Sequence, residues 1–172
     1  IISDSNVWPL YGKIAAKSLE NAGITDVISY AFPAGEESKN GYTYLTLLNF
    51  LAENKLTRSD CIVALGGGSR IDCAKGIACA AYAEGDVWQR YYVNQEPVTN
   101  PVVPVGSILT MAGTGSEMNS GSVITNEETK EKIGRVYPLA LVTPRFSILN
   151  PEYTYSVPKY QMISGIFDVF SH

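Results

Sequence analysis

Asp168 and His172 are the residues of this chain best suited to gripping a metal ion. They stand four apart in Gly165-Ile-Phe-Asp-Val-Phe-Ser-His172, a stretch with helical spacing, so both side chains leave one face. A carboxylate and an imidazole so placed can share one divalent cation. Such a cation normally takes about three or more protein ligands, and His172 is the only histidine among the 172 residues. From chemistry alone the pair is either half of a metal site or no site, with His172 then a capping or dipole-compensating group near a helix end.

Two glycine-rich loops offer different chemistry. Leu65-Gly66-Gly67-Gly68-Ser69 lies between an apolar run and a helical stretch. Glycines there let backbone N–H groups approach a phosphate, and the following helix N-terminus adds partial positive charge. The competing reading is a tight turn that needs positive φ; the strand-loop-helix setting favours phosphate. Thr110-Met-Ala-Gly-Thr-Gly-Ser-Glu117 is a second small-residue loop, suited to a cofactor or substrate, or else an ordinary turn. Asp4, at the end of an earlier strand, can accept from both hydroxyls of an adenine ribose and repel a 2′-phosphate. It can equally cap a helix, as can Ser5. Asp72 and Lys75, just after the glycines, read as a solvated, dipole-compensating face. Tyr153, Tyr155 and Tyr160 read as packing.

The elements that must position these residues follow from periodicity. Ile1 to Asp4 looks like the tail of a strand. Leu10 to Ala22 has helical spacing and is followed by Gly23, which suits a left-handed helix end. Asp26 to Phe32 reads as a strand, Tyr42 to Asn54 as a helix, Cys61 to Leu65 as a strand buried on both faces, and Ser69 to Tyr82 as a helix. Alternating strand and helix indicate a parallel α/β sheet with right-handed crossovers. Val102 to Met111 is apolar and β-rich. Ser120 to Thr125 and Lys132 to Val136 suggest a hairpin, Phe146 to Leu149 a short strand, and Pro158 the start of a last helix.

Composition narrows the function. Hydrophobic residues make up 45% of the chain, enough for a real core. The net charge of −4 argues against nucleic acid as a partner. No apolar run reaches the roughly 18 residues of a membrane span. No signal peptide precedes the chain, whose start looks trimmed. Cys61, Cys73 and Cys79 lack metal-type spacing and read as free thiols of a reducing, cytoplasmic compartment.

Residues from about Gly66 to His172 resemble the iron-containing (group III) alcohol dehydrogenases, especially their butanol dehydrogenase-like branch. The resemblance rests on Gly66-Gly-Gly-Ser-Arg-Ile-Asp72-Cys-Ala-Lys75, Ile108-Leu-Thr-Met-Ala-Gly-Thr-Gly-Ser-Glu-Met-Asn119, Val123-Ile-Thr-Asn-Glu-Glu-Thr-Lys-Glu-Lys132 and the Gly165–His172 stretch. Residues 1 to about 68 look more like dehydroquinate synthase, through Ser3-Asp-Ser-Asn-Val7, Phe32-Pro-Ala-Gly-Glu-Glu-Ser-Lys-Asn40 and Leu56 to Gly68. The two families share a fold and a plan of NAD plus metal. Ser69-Arg70, Gly115-Ser-Glu-Met118 and Asp168…His172 stand where the synthase would carry other sequences, so the substrate-facing half is dehydrogenase-like. A natural intermediate and a recombined chain both stay open.

The resemblance implies a Rossmann-like NAD-binding α/β domain over residues 1–150 and, over 151–172, the first helix of a helical metal domain. It implies that Gly66, Gly67, Gly68 and Ser69 cradle the pyrophosphate. Asp4 and Asn6 would read the ribose and favour NAD over NADP, and Glu36 and Lys39 would also touch the nucleotide. Asp72, Thr110, Thr114 and Lys132 would line the nicotinamide side. Asp168 and His172 would be the first two ligands of Fe²⁺ or Zn²⁺, with two further histidines lying beyond this chain. Asn150-Pro151 replaces a usual Asp-Pro. The activity implied is hydride transfer between a primary alcohol or aldehyde and the nicotinamide. The alternatives are a dehydroquinate synthase-like lyase and a non-catalytic NAD-binding fragment. The chain alone is expected to bind metal weakly and turn alcohol over very slowly, and a homodimer stays open.

Overall fold

Runs of apolar residues with the expected periods become the elements of a layered α/β unit. The computed structural model describes residues 1–38, 40–126 and 129–171, with Glu36 described by its backbone alone. In chain order the elements are β1 (Ile2–Asp4), α1 (Lys13–Asn21), β2 (Tyr30–Phe32), α2 (Gly41–Glu53), β3 (Ile62–Gly67), α3 (Gly68–Ala80), β4 (Val105–Met111), β5 (Gly121–Thr125), β6 (Lys132–Val136), α4 (Leu139–Val142), β7 (Ser147–Ile148) and α5 (Lys159–Ser171). No helix of the described residues is long and apolar enough to cross a membrane.

Five strands pair in parallel in the order β2-β1-β3-β4-β7. The chain first adds β2 on one side of β1 and then places β3 on the other. Strand order therefore reverses between β1 and β3, and the carboxyl ends of these two strands flank a crevice at that point. Ser3 Oγ donates to Leu65 O across the same pair, at 2.9 Å.

The sheet confirms the expected alternation, with differences that have local causes. The strand expected over 26–32 is confined to Tyr30–Phe32, because its partner β1 offers three residues, Ile2 to Asp4, for pairing. The helix expected over 10–22 begins as a wider π-helical turn, Trp8–Gly12, and continues as α1. A second π-helical turn, Trp88–Val93, had no signal in the spacing. The hairpin β5–β6 pairs Gly121 with Val136 through Thr125 with Lys132. It stands apart from the main sheet, and Ser122 and Ile124 of β5 are buried.

Helix α3 sits at the centre. Every residue from Ile71 to Ala80 is buried. It contributes Ile71, Ala74, Ile77 and Ala78 to a core shared with Leu47 and Leu51 of α2, Ile62 and Ala64 of β3, and Tyr91 and Tyr92. The buried Arg135 lies over the rings of Tyr91 and Tyr137, with its guanidinium 5.4 Å and 4.8 Å from the ring centres. Asn150 accepts from Glu152 N at 3.0 Å, so it makes the kind of local turn contact an Asp could make there.

Helices α1 and α2 end alike. Gly23 N donates to Glu20 O and Ile24 N to Leu19 O, with Gly23 at φ +92°. After α2 the same pair of bonds runs from Lys55 N to Ala52 O and from Leu56 N to Leu51 O, but the left-handed position holds Lys55, at φ 55°. A side chain there is strained where glycine is not. Lys55→Gly is expected to raise stability by about 0.5–1 kcal/mol in urea melts.

Candidate functional site

A cleft at the carboxyl ends of β3 and β4 has three walls, two of them rich in glycine. Gly67 to Arg70 form the first, Met111 to Thr114 the second, and Ser164, Gly165 and Asp168 of α5 the third, around a cleft of about 380 Å³. Strand β3 slips in register against β4 between Gly66 and Gly67, where the chain turns into α3. The N-cap residue of α3 is Gly67, which has no side chain to cap with. Gly68, Ser69 and Arg70 of its first turn line the cleft, and a helix N-terminus suits an anion.

Close approach explains the glycines better than backbone strain does. A Cβ on Gly68 would run into Thr114 Oγ1. A Cβ on Gly165 would lie 2.6 Å from Ala112 O, and one on Gly113 would lie 3.0 Å from Asp168 Oδ2. Each wall thus touches the next where a side chain is missing.

Asp72 and Lys75 correct the expectation of a solvated face. Both are buried, Lys75 completely. Asp72 accepts from Ser116 Oγ at 2.9 Å and from Val123 N at 3.2 Å, and its backbone oxygen accepts from Ser122 Oγ at 2.8 Å. Lys75 Nζ donates to Asn119 Oδ1 and Gly121 O, both at 2.9 Å. Asn119 Nδ2 in turn donates to Thr114 O at 3.3 Å. One face of α3 therefore holds the second loop and the start of β5, and through them Thr114 in the cleft. Burial lowers the Lys75 pKa to about 8, against the opposing pull of Asp72 and Glu117. The signal available in the sequence was a helix apolar on all sides, which leaves no face for solvated charge.

The other expected residues separate into groups. Gly67, Gly68, Ser69, Thr114 and Asp168 line the cleft. Gly66 lies directly beneath, at the end of β3. Thr110 is buried in β4, and Asp72 faces the second loop; neither is part of the lining. Lys132 is exposed on β6 opposite Thr125, also away from the lining. Asp4 Oδ1 accepts from Asn6 N at 2.8 Å and Val7 N at 3.1 Å, the capping geometry, while Oδ2 lies 2.5 Å from Arg70 Nε. Asn6 is exposed, and Glu36 belongs to a 3-10 turn, Glu36–Ser38. Lys39 and His172 lie outside the described residues. Among the described residues no three His, Cys, Asp or Glu side chains converge on one point. Tyr155 and Tyr160 are largely exposed, and Tyr153 packs against Tyr11 with ring centres 4.8 Å apart.

A parallel sheet with helices about it and a crevice at the reversal of strand order defines an α/β, Rossmann-like protein. The model of the iron-containing alcohol dehydrogenases matches residues 1–151. The probable NADH-dependent butanol dehydrogenase 1 of Bacillus subtilis is 52% identical over 113 residues, 66% of this chain and 28% of that protein. The NADPH-dependent aldehyde reductase YqhD of Escherichia coli is 33% identical across 98% of this chain and 44% of its own length. The crystal structure of NADH-dependent butanol dehydrogenase A from Thermotoga maritima superposes with a TM-score of 0.86 at 28% identity, over 99% of this chain and 41% of that one. The chain belongs to the iron-containing alcohol dehydrogenase family and resembles its butanol dehydrogenase-like members. It spans less than half the length of these relatives. The family match also runs unbroken through the first third, where the sequence looks synthase-like.

Two outcomes follow from this geometry. Gly165→Ala places its Cβ against a backbone oxygen, so α5 must shift; a loss of about 1–3 kcal/mol is expected in thermal or urea melts. The Lys75 side chain titrates near 10.5 when unfolded and near 8 when folded. Between those values the unfolded chain binds more protons, so this group's contribution to stability rises with pH. Below about 8 both states are protonated and the burial penalty is felt in full. Urea melts are expected to show the native chain gaining on Lys75→Met across that window; parallel curves would contradict it.

Proposed function

We propose that this chain carries the NAD(P)-binding unit of a metal-dependent alcohol dehydrogenase that acts on a primary alcohol or its aldehyde. The observation that carries the reading is the glycine-rich start of α3, which lines a cleft at the carboxyl ends of the parallel strands β3 and β4, in a chain of this family. The cleft fits a dinucleotide: bare backbone at Gly67 and Gly68 lets N–H groups reach a pyrophosphate, and Ser69 adds a hydroxyl. Thr114 stands across from them, toward the nicotinamide side. Asp72 acts behind it by holding Ser116, and Thr110 supports the same loop from β4. Lys132, Glu36 and Lys39 are further candidates for the cofactor's periphery.

The described residues supply the metal with a single carboxylate, Asp168, which by itself does not make a site. We propose Asp168 and His172 as this chain's share of the ligands, in a helix that opens a second, helical domain at about residue 151. A divalent ion, Fe²⁺ or Zn²⁺, supplies Lewis-acid polarisation of an alcohol or carbonyl oxygen when bound. This chain's residues would hold the cofactor's phosphates at Gly67, Gly68 and Ser69, and the contact of Gly165 with Ala112 keeps α5 against the second loop. A cytoplasmic setting agrees with the three free thiols.

A second reading is dinucleotide binding without turnover, since the glycine-rich cleft supports cofactor binding by itself. Fluorescence titration with NADH and NADPH tests the shared part. Gly68→Val is expected to cost at least about tenfold in affinity, because its side chain meets Thr114. A chain that binds neither dinucleotide would rule out both readings. Calorimetry with Zn²⁺, comparing Asp168→Ala, separates them: metal binding lost in the variant supports the dehydrogenase.

A further inference from the structure

Two opposite charges meet at the carboxyl ends of β1 and β3, where strand order reverses. Asp4 ends β1, and Arg70 stands in the first turn of α3. Arg70 Nε lies 2.5 Å from Asp4 Oδ2, with the side chains 17% and 1% exposed. The two atoms are not aligned as a hydrogen bond, so the contact is an ion pair held by proximity. The stem of Arg70 runs across Gly66, where a Cβ would come within 2.8 Å of Arg70 Cγ. The guanidinium carbon lies 5.9 Å from the ring centre of Phe32, at the end of β2. Arg70 therefore bridges the carboxyl ends of β1, β2 and β3, and it also forms part of the cleft wall.

A carboxylate at such a strand end ordinarily accepts from a ribose 2′-hydroxyl and repels a 2′-phosphate. Here both Asp4 oxygens are engaged, Oδ1 by the amides of Asn6 and Val7 and Oδ2 by Arg70. Its negative charge is answered at contact distance by the Arg70 guanidinium. To first order the repulsion is cancelled, and of the two side chains it is Arg70 that keeps some exposure and lines the cleft; a guanidinium is a planar fork of donors suited to phosphate.

Resting on the reading of the cleft as a dinucleotide site, we propose that Arg70 sets the choice between NAD and NADP. It masks Asp4 and offers its guanidinium to the 2′-phosphate, so the chain accepts NADP alongside NAD. The preference for NAD expected from Asp4 alone gives way to the pair.

The test is the dissociation constant of NADH and of NADPH, read by nicotinamide fluorescence on the 172-residue chain and on Arg70→Gln. The native chain is expected to bind the two within about tenfold of each other. Arg70→Gln is expected to weaken NADPH at least about tenfold more than it weakens NADH. Equal weakening of both would overturn the proposal and make Arg70 a support of the loop. A native preference for NADH beyond about a hundredfold would overturn it too. A measurement free of folding effects uses the native chain alone: adenosine 2′,5′-bisphosphate is expected to displace NADH better than AMP does, and failure to do so counts against Arg70. If neither dinucleotide binds, the reading of the cleft itself fails, an outcome distinct from a lost preference.

Discussion

Helix α3 has protein on every side from Ile71 to Ala80, and the two charges it carries must be satisfied inside. A buried ion without partners is costly, so these charges recruit partners from wherever the chain can bring them. Asp72 takes Ser116 and Val123; Lys75 takes Asn119 and Gly121. All four partners lie more than forty positions along the chain, as the Lys75–Asn119 separation of 44 and the Asp72–Val123 separation of 51 show. The second loop and the hairpin are therefore fixed to the same helix whose N-terminus opens the cleft.

Absent side chains do the complementary work. Gly68 admits Thr114, and Gly165 admits the carbonyl of Ala112. Three segments from distant parts of the chain meet with little between them but backbone. The result is a cleft whose walls present N–H groups and small hydroxyls on one side and a carboxylate on α5 on the other. Charge inside the fold and missing bulk at its surface thus serve one end, which is to hold two loops and a helix in register around a shared opening.

The family resemblance and the fold support each other from independent directions. The match to the iron-containing alcohol dehydrogenases covers residues 1–151, and the superposition on a butanol dehydrogenase covers 99% of the chain.

Much of the fold was legible because its causes are local. Period-two and period-3.6 patterns, Gly23 after α1, and the polar turn between β5 and β6 each act within a few residues, and the hairpin fell where the pattern placed it. The first glycine loop and the last helix were legible as elements for the same reason. Three things were not. Strand β2 was cut short by the length of its partner, the π-helical turns had no signature in spacing, and Asp72 and Lys75 looked like surface charges. The sequence by itself determined the element types, the places where backbone lies bare and the family. Only the tertiary structure decided which charges lie inside and that Arg70 covers Asp4. Burial and ion pairing depend on neighbours brought from far along the chain, and no local pattern records them.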